Sequence, residues 1–239
     1  MRVVFLFLVC FFISSPAQSD YTDHTGISAI GSGEAVVVHD STSLTRADRK
    51  VRESAVKISS PDGFIYGSGS YFTHEGNHIV VTAAHVVREA ATMIVIGRDG
   101  ERVFGSVVYS DEARDVAILR VPNMRTRTPM ALSFSDTSME KIIGCSVVYT
   151  GFPGGHDLVT IKGSIAGIVP ERNFILMHGY AWMGASGSGV FDKKGNLVGV
   201  LSAVSVGSHF DLQIIEDMVW ISPVTQIDQE ALINSLSEK

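Results

Sequence analysis

Short apolar runs separated by glycine, asparagine and aspartate constrain this chain more than any other feature. They recur at 55–59, 64–73, 78–82, 92–97, 102–110 and 115–121. The stretch 122–129, bounded by Pro122 and Pro129, breaks the pattern and reads as a linker. A second set of six follows at 131–134, 146–151, 158–168, 174–178, 189–192 with 197–203, and 218–221. The Lys-Lys-Gly-Asn stretch at 193–196 reads as a hairpin turn. Repeated short strands at this spacing predict barrels. The expected fold is mainly β, with two six-stranded antiparallel barrels spanning 46–125 and 126–239. A C-terminal α-helix should close the chain. Ser222 is placed as its N-cap and Pro223 as its first helical residue, with Val224, Ile227, Ala231 and Leu232 on one side.

The chain has 239 residues, 45% of them hydrophobic and 18% charged. A chain of this size buries about 70% of its unfolded surface, enough for a core without covalent staples. Its net charge of −6 offers no electrostatic footing for nucleic acid or an anionic membrane. Residues 1–19 read as an export signal: Arg2, an apolar run at 3–13 too short to span a bilayer, then Ala17-Gln18-Ser19. Cleavage is expected before Asp20. A second cleavage site after Ala17 and an uncleaved anchor are the competing readings. Residues 20–45, rich in Ser, Thr, Gly and Asp, read as a flexible lead-in. With Cys10 lost alongside the signal, Cys145 stands alone. It sits in an apolar run at 142–149 and is expected to be a buried, inert thiol. An exported chain without an internal disulfide points to a bacterial or phage-encoded product, periplasmic or secreted.

Three strings carry chemistry: Val-Thr-Ala-Ala-His85, Ala-Arg-Asp115-Val-Ala-Ile-Leu, and Gly184-Ala-Ser186-Gly-Ser-Gly-Val. A serine hydroxyl is a poor nucleophile and needs a neighbouring base. Histidine serves because its unperturbed pKa lies near 6.5. An aspartate on the other ring nitrogen sets the tautomer. The chain order His, Asp, Ser is that of the two-barrel chymotrypsin type and differs from subtilisins and α/β-hydrolases. With Gly67-Ser-Gly-Ser-Tyr-Phe, Val80-Val-Thr-Ala-Ala-His-Val-Val and Gly151-Phe-Pro-Gly-Gly, these strings resemble the trypsin/chymotrypsin-like serine endopeptidases. The nearest flavour is the HtrA-type or glutamyl-endopeptidase-type protease domain. The resemblance runs from about residue 51 to 236.

The resemblance implies His85 as general base, Asp115 as its orienting partner and Ser186 as nucleophile. It places the oxyanion donors at the amides of Gly184 and Ser186. It puts the floor of the specificity pocket at Tyr180 and one wall at Leu201, Ser202, Ala203 and Val204, whose backbone pairs with an extended peptide or protein substrate. His178 or His209 are candidates for recognising an acidic side chain. Ser188 and Gly189 replace the family's usual Gly-Pro, and residues 187–239 leave no room for the PDZ domain of an HtrA protein. No cofactor is expected and no metal. His74-Glu75-Gly76-Asn77-His78 matches the zinc-protease string, but that motif works only on a helix, and Gly76-Asn77 is a turn dipeptide. The leading reading is an exported serine endopeptidase acting through an acyl-enzyme. The alternatives are a non-catalytic binding protein on the same scaffold and an esterase using the same residues.

Overall fold

A computed structural model describes residues 44–135, 141–208, 212–227, 231 and 234–236. The expected signal at 1–19 and the lead-in up to residue 43 lie outside them. The first element is α1 (Arg46–Ser54), which Thr45 caps reciprocally. The Asp48 amide donates to the Thr45 hydroxyl at 3.1 Å, and the Thr45 amide donates to the Asp48 carboxylate at 2.8 Å.

Six strands close the first barrel: β1 (Ala55–Ser59), β2 (Tyr66–His74), β3 (Asn77–Thr82), β4 (Thr92–Ile96), β5 (Arg102–Asp111) and β6 (Val116–Arg120). Their order is β1-β4-β5-β6-β3-β2, and β2 pairs back onto β1 with Val56 opposite Gly69. A short helix, α2 (Ala84–Val87), leaves the end of β3. Val56, Ile58, Tyr71, Val80 and Leu119 share one face and fill the interior at 0% exposure. Fully burying such a side chain contributes about 1.5–3 kcal/mol each. The β2–β3 hairpin turns on Glu75 and Gly76, both at positive φ, with His74 opposite Asn77 and Thr73 opposite His78. The turn is thus one residue earlier than the Gly76-Asn77 reading.

The stretch expected to open the second barrel, 131–134, is split between the two. Strand β7 (Met130–Ala131) lies parallel on β2, with Met130 opposite Phe72, whereas Phe134 makes a lone parallel bridge to Leu197 of the second barrel. The second barrel has six strands when both arms of the hairpin expected at 189–192 with 197–203 are counted. Its members are β8 (Ser146–Gly151), β9 (Val159–Val169), β10 (Phe174–His178), β11 (Gly189–Asp192), β12 (Leu197–Ser208) and β13 (Leu212–Pro223), closed in the order β10-β13-β12-β11-β8-β9. Asp192 organises the β11–β12 turn by accepting from the amides of Lys194 and Asn196.

Two local expectations are overridden. Ser222 and Pro223 end β13, opposite Val200 and Gly199, rather than starting a helix. Sheet pairing outweighs the local cap signal, and Pro223 at the strand's end gives up no needed donor. A 3-10 turn, Val224–Gln226, follows, and residues 231 and 234–236 are helical. Val224, Ile227 and Leu236 pack into the first barrel's core cluster, and Arg120 donates to the carbonyls of Ser235 and Leu236 at 3.1 and 2.7 Å. Cys145 is exposed, not buried. The chain turns at Gly144, φ +83°, so the inward alternation of β8 begins only beyond it. No helix among the described residues is long and apolar enough to cross a membrane.

Candidate active site

His85 rides on α2, where the chain leaves β3, and Asp115 sits immediately before β6. Asp115 adopts φ +51°, a left-handed conformation that aspartate tolerates better than most residues. That kink aims its carboxylate back at α2. Oδ1 accepts from the His85 backbone amide at 2.9 Å, and the carboxylate spans His85 Nδ1 at 3.0 and 2.9 Å. Asp115 is 3% exposed. The Ser202 hydroxyl also donates to Asp115 Oδ2. Ser202 is the extra residue of a bulge in β12, between Leu201 opposite Ile221 and Ala203 opposite Trp220. Bulges re-aim side chains, and this one turns Ser202 towards the first barrel. Ser202 was expected in the pocket wall; its hydroxyl is committed to Asp115.

Ser186 lies in a tight turn before β11, fixed from both sides. Its carbonyl accepts from the Ser68 amide at 2.8 Å, and the Gly187 amide donates to Leu201 O at 2.8 Å. The Ser68 hydroxyl donates to Gly184 O at 2.6 Å while accepting from the Phe152 amide at 3.0 Å. Thr82 in turn donates to Ser68 O at 2.8 Å. Gly184 and Gly187 have φ of +91° and +88°. A Cβ on Gly187 would overlap the Ser68 carbonyl and the Thr82 hydroxyl, and one on Gly184 would come within 2.5 Å of Phe152 O. Both glycines are therefore required by conformation and by close approach. Among the described residues, the amides of Gly184 and Ser186 have no acceptor.

The model of the trypsin-like peptidase domain matches residues 67–200, more than half of the chain. The chain belongs to the trypsin-like peptidase family. Within it, a protein named as a probable periplasmic serine endoprotease, DegP-like, of Rhizobium meliloti is 30% identical over 58% of this chain and 28% of its own length. Protease Do-like 1, chloroplastic, of Arabidopsis thaliana is 29% identical over 58% of this chain and 33% of its own. The matched stretches span between 28% and 38% of the curated relatives' lengths. Among solved structures, a serine endoprotease from Yersinia pestis superposes with a TM-score of 0.64 at 19% identity, covering 84% of this chain and 69% of the other. An inactive form of Rv3671c from M. tuberculosis gives 0.61 at 22%, covering 81% and 92%.

Beside Ser186, this trypsin-like peptidase domain has a small depression lined by Trp182, Met183, Ser186, Leu201, Ser202, Ala203 and Val204. Its volume is about 20 Å³. Trp182 and Met183 carry no sequence signal that separates them from core residues. Tyr180, expected as the floor, is 44% exposed and is absent from that lining. Its carbonyl accepts from the Tyr149 hydroxyl at 2.8 Å, and burial raises the Tyr149 phenol well above its usual range. A wider depression of about 470 Å³, lined by Arg88, Glu89 and Glu112, opens against His85 and Asp115.

The remaining histidines fall apart from this constellation. His178 is exposed at the end of β10, 3.8 Å from Asp217, and His209 lies outside the described residues. His74 and His78 sit on facing strands, each paired with the other's neighbour, so they point to opposite faces of the hairpin. The His78 Nδ1 is 2.6 Å from the Tyr71 hydroxyl.

Proposed function

We propose that this chain is an exported serine endopeptidase, with Ser186 as nucleophile, His85 as general base and Asp115 as the group that orients His85. The carrying observation is the double grip of Asp115 on His85, through ring nitrogen and backbone amide, with Ser202 bonded to the same carboxylate. A histidine held through Nδ1 presents Nε2 as the basic atom. It takes the Ser186 proton as Oγ attacks the peptide carbonyl, and returns it to the departing amine. The acyl-enzyme is then hydrolysed by water activated in the same way. Among the described residues the amides of Gly184 and Ser186 have no other acceptor, and they would receive the developing oxyanion.

The substrate in this reading is an extended peptide. Pairing of β11 with β12 ends at Gly189 opposite Val200, and the Leu201 amide and carbonyl are taken by Ser188 and Gly187. Residues 202–204 therefore have no strand on that edge among the described residues, which suits strand addition by a substrate. Export rests on residues 1–19 and on periplasmic relatives. The test is labelling with a fluorophosphonate and mass mapping of the adduct. The proposal expects a single adduct on Ser186 that is lost in His85→Ala; an adduct elsewhere, or peptidase activity surviving in Ser186→Ala, overturns it.

A further inference from the structure

The linker between the barrels buries a charge that nothing in the proposed mechanism uses. Arg127 is 7% exposed, and its Nε and Nη1 are buried without a hydrogen-bond partner among the described residues. A guanidinium has five donors and does not give up its charge in proteins, so burying it unpaired is costly.

Two further arginines flank it: the amide of Thr128, which follows Arg127, donates to Glu53 O at 3.2 Å, next to Arg52, and Arg98 meets Thr126 on the other side. Arg52, on α1, donates to Leu158 O and Thr160 Oγ1 of the second barrel, both at 3.0 Å. Arg98 leads the 98–100 turn of the first barrel, and its amide is tied to Thr126 Oγ1 at 2.9 Å, next to Arg127 in sequence. Burial first, then the charges of Arg98 and Arg52, bring the Arg127 pKa down to about 10; Arg98 adds to the burial that lowers Arg52. Asp99 opposes them at Arg127. Glu101, the other acid of that turn, accepts from the amides of Arg125 and Thr126 at 2.9 Å each, and its charge is offset by Arg125, whose Nε stands 3.8 Å away. Three cations thus face one carboxylate, where α1, the first barrel and the linker meet.

We propose that Arg52, Arg98 and Arg127 form a binding site for a phosphate-class oxyanion at the junction of the barrels. The net excess of two positive charges matches a dianion, and guanidinium forks bind tetrahedral oxyanions through paired donors. Arg98 and Arg52 form the accessible mouth, and Arg127 forms the back. A bound anion ties together the three segments that carry the arginines, so its first consequence is on folding stability rather than on the reacting atoms.

The same chemistry has a second source, a carboxylate from residues 20–43 of this chain, and the experiment separates the two. Thermal melting of the full chain is followed in chloride buffer and with added inorganic phosphate at matched ionic strength. Phosphate at ten times its dissociation constant raises the folding equilibrium constant about elevenfold. The wild type should therefore melt higher in phosphate. Arg98→Gln, on an exposed residue, should fold and lose that response. Arg127→Met should also lose it, and should melt higher than wild type in chloride because it removes an unpaired buried charge. A wild type indifferent to phosphate, or an undiminished response in Arg98→Gln and Arg127→Met, overturns the proposal. So does a response that appears only when Asp20, Asp23, Glu34 and Asp40 are all neutralised, since the chain's own carboxylate is then the occupant.

Discussion

The Ser68 hydroxyl donates to the Gly184 carbonyl at 2.6 Å, joining a strand of the first barrel to the turn that holds Ser186 in the second. The same oxygen accepts from the Phe152 amide at 3.0 Å, and Ser68 is 0% exposed. Ser68→Ala leaves a buried carbonyl and a buried amide unpaired, each worth about 1–3 kcal/mol. The variant should lose about 2–6 kcal/mol of stability in urea unfolding. In the folded fraction, kcat should fall about tenfold or more with KM little changed, because Gly184 is the proposed oxyanion donor. Unchanged kcat would show that the turn is held without this bond.

Ser202→Ala tests the bulge in β12. A hydrogen bond to a charged group contributes about 1.5–3 kcal/mol. Loss of the Ser202 donor should lower kcat/KM about tenfold and the melting temperature by about 3–12 °C. Steady-state kinetics on a peptide substrate, with a melt in parallel, measures both.

The two serines of the Gly-Ala-Ser-Gly-Ser-Gly string should behave oppositely. Ser186→Ala should lower turnover by roughly 10⁴-fold or more. The Ser188 hydroxyl is buried at 0% exposure and has no hydrogen-bond partner among the described residues. Ser188→Ala removes that desolvated group and should stabilise the fold by about 1 kcal/mol while keeping activity. Ser188→Gly should also keep most activity, with part of the gain offset by backbone entropy. A destabilised Ser188→Ala would reveal a partner for the hydroxyl, such as an ordered water.

Primary specificity should favour small or medium apolar side chains. The depression beside Ser186 holds about 20 Å³ and carries no charged side chain in its lining. Trp182→Ala should widen acceptance towards larger apolar residues in a peptide-library profile. Strong wild-type selection for Lys or Arg, or for Glu, would contradict this and shift attention to Glu112 or His178.

Much of the fold was legible because its signals are local. Alternating apolar residues and turn chemistry place β1, β8, β10 and β11 at the expected bounds, since side chains on a strand repeat every two residues whatever lies across the sheet. His85 and Asp115 are recognisable from short strings, and the fold brings those side chains within hydrogen-bonding distance. What pairing decides was not legible. Strand β7 joined the first barrel rather than the second, and β13 ran through Ser222 and Pro223, because ladder bonds to β2 and β12 outweighed local turn and cap preferences. Ser202 reaches Asp115 across 87 residues only because a bulge turns its side chain, and Ser68 reaches Gly184 across 116 only because two closed barrels meet there. Hydrogen-bond partners that far apart along the chain depend on strand register and barrel packing. Those are set cooperatively by the whole core and leave no local trace in the residues that use them.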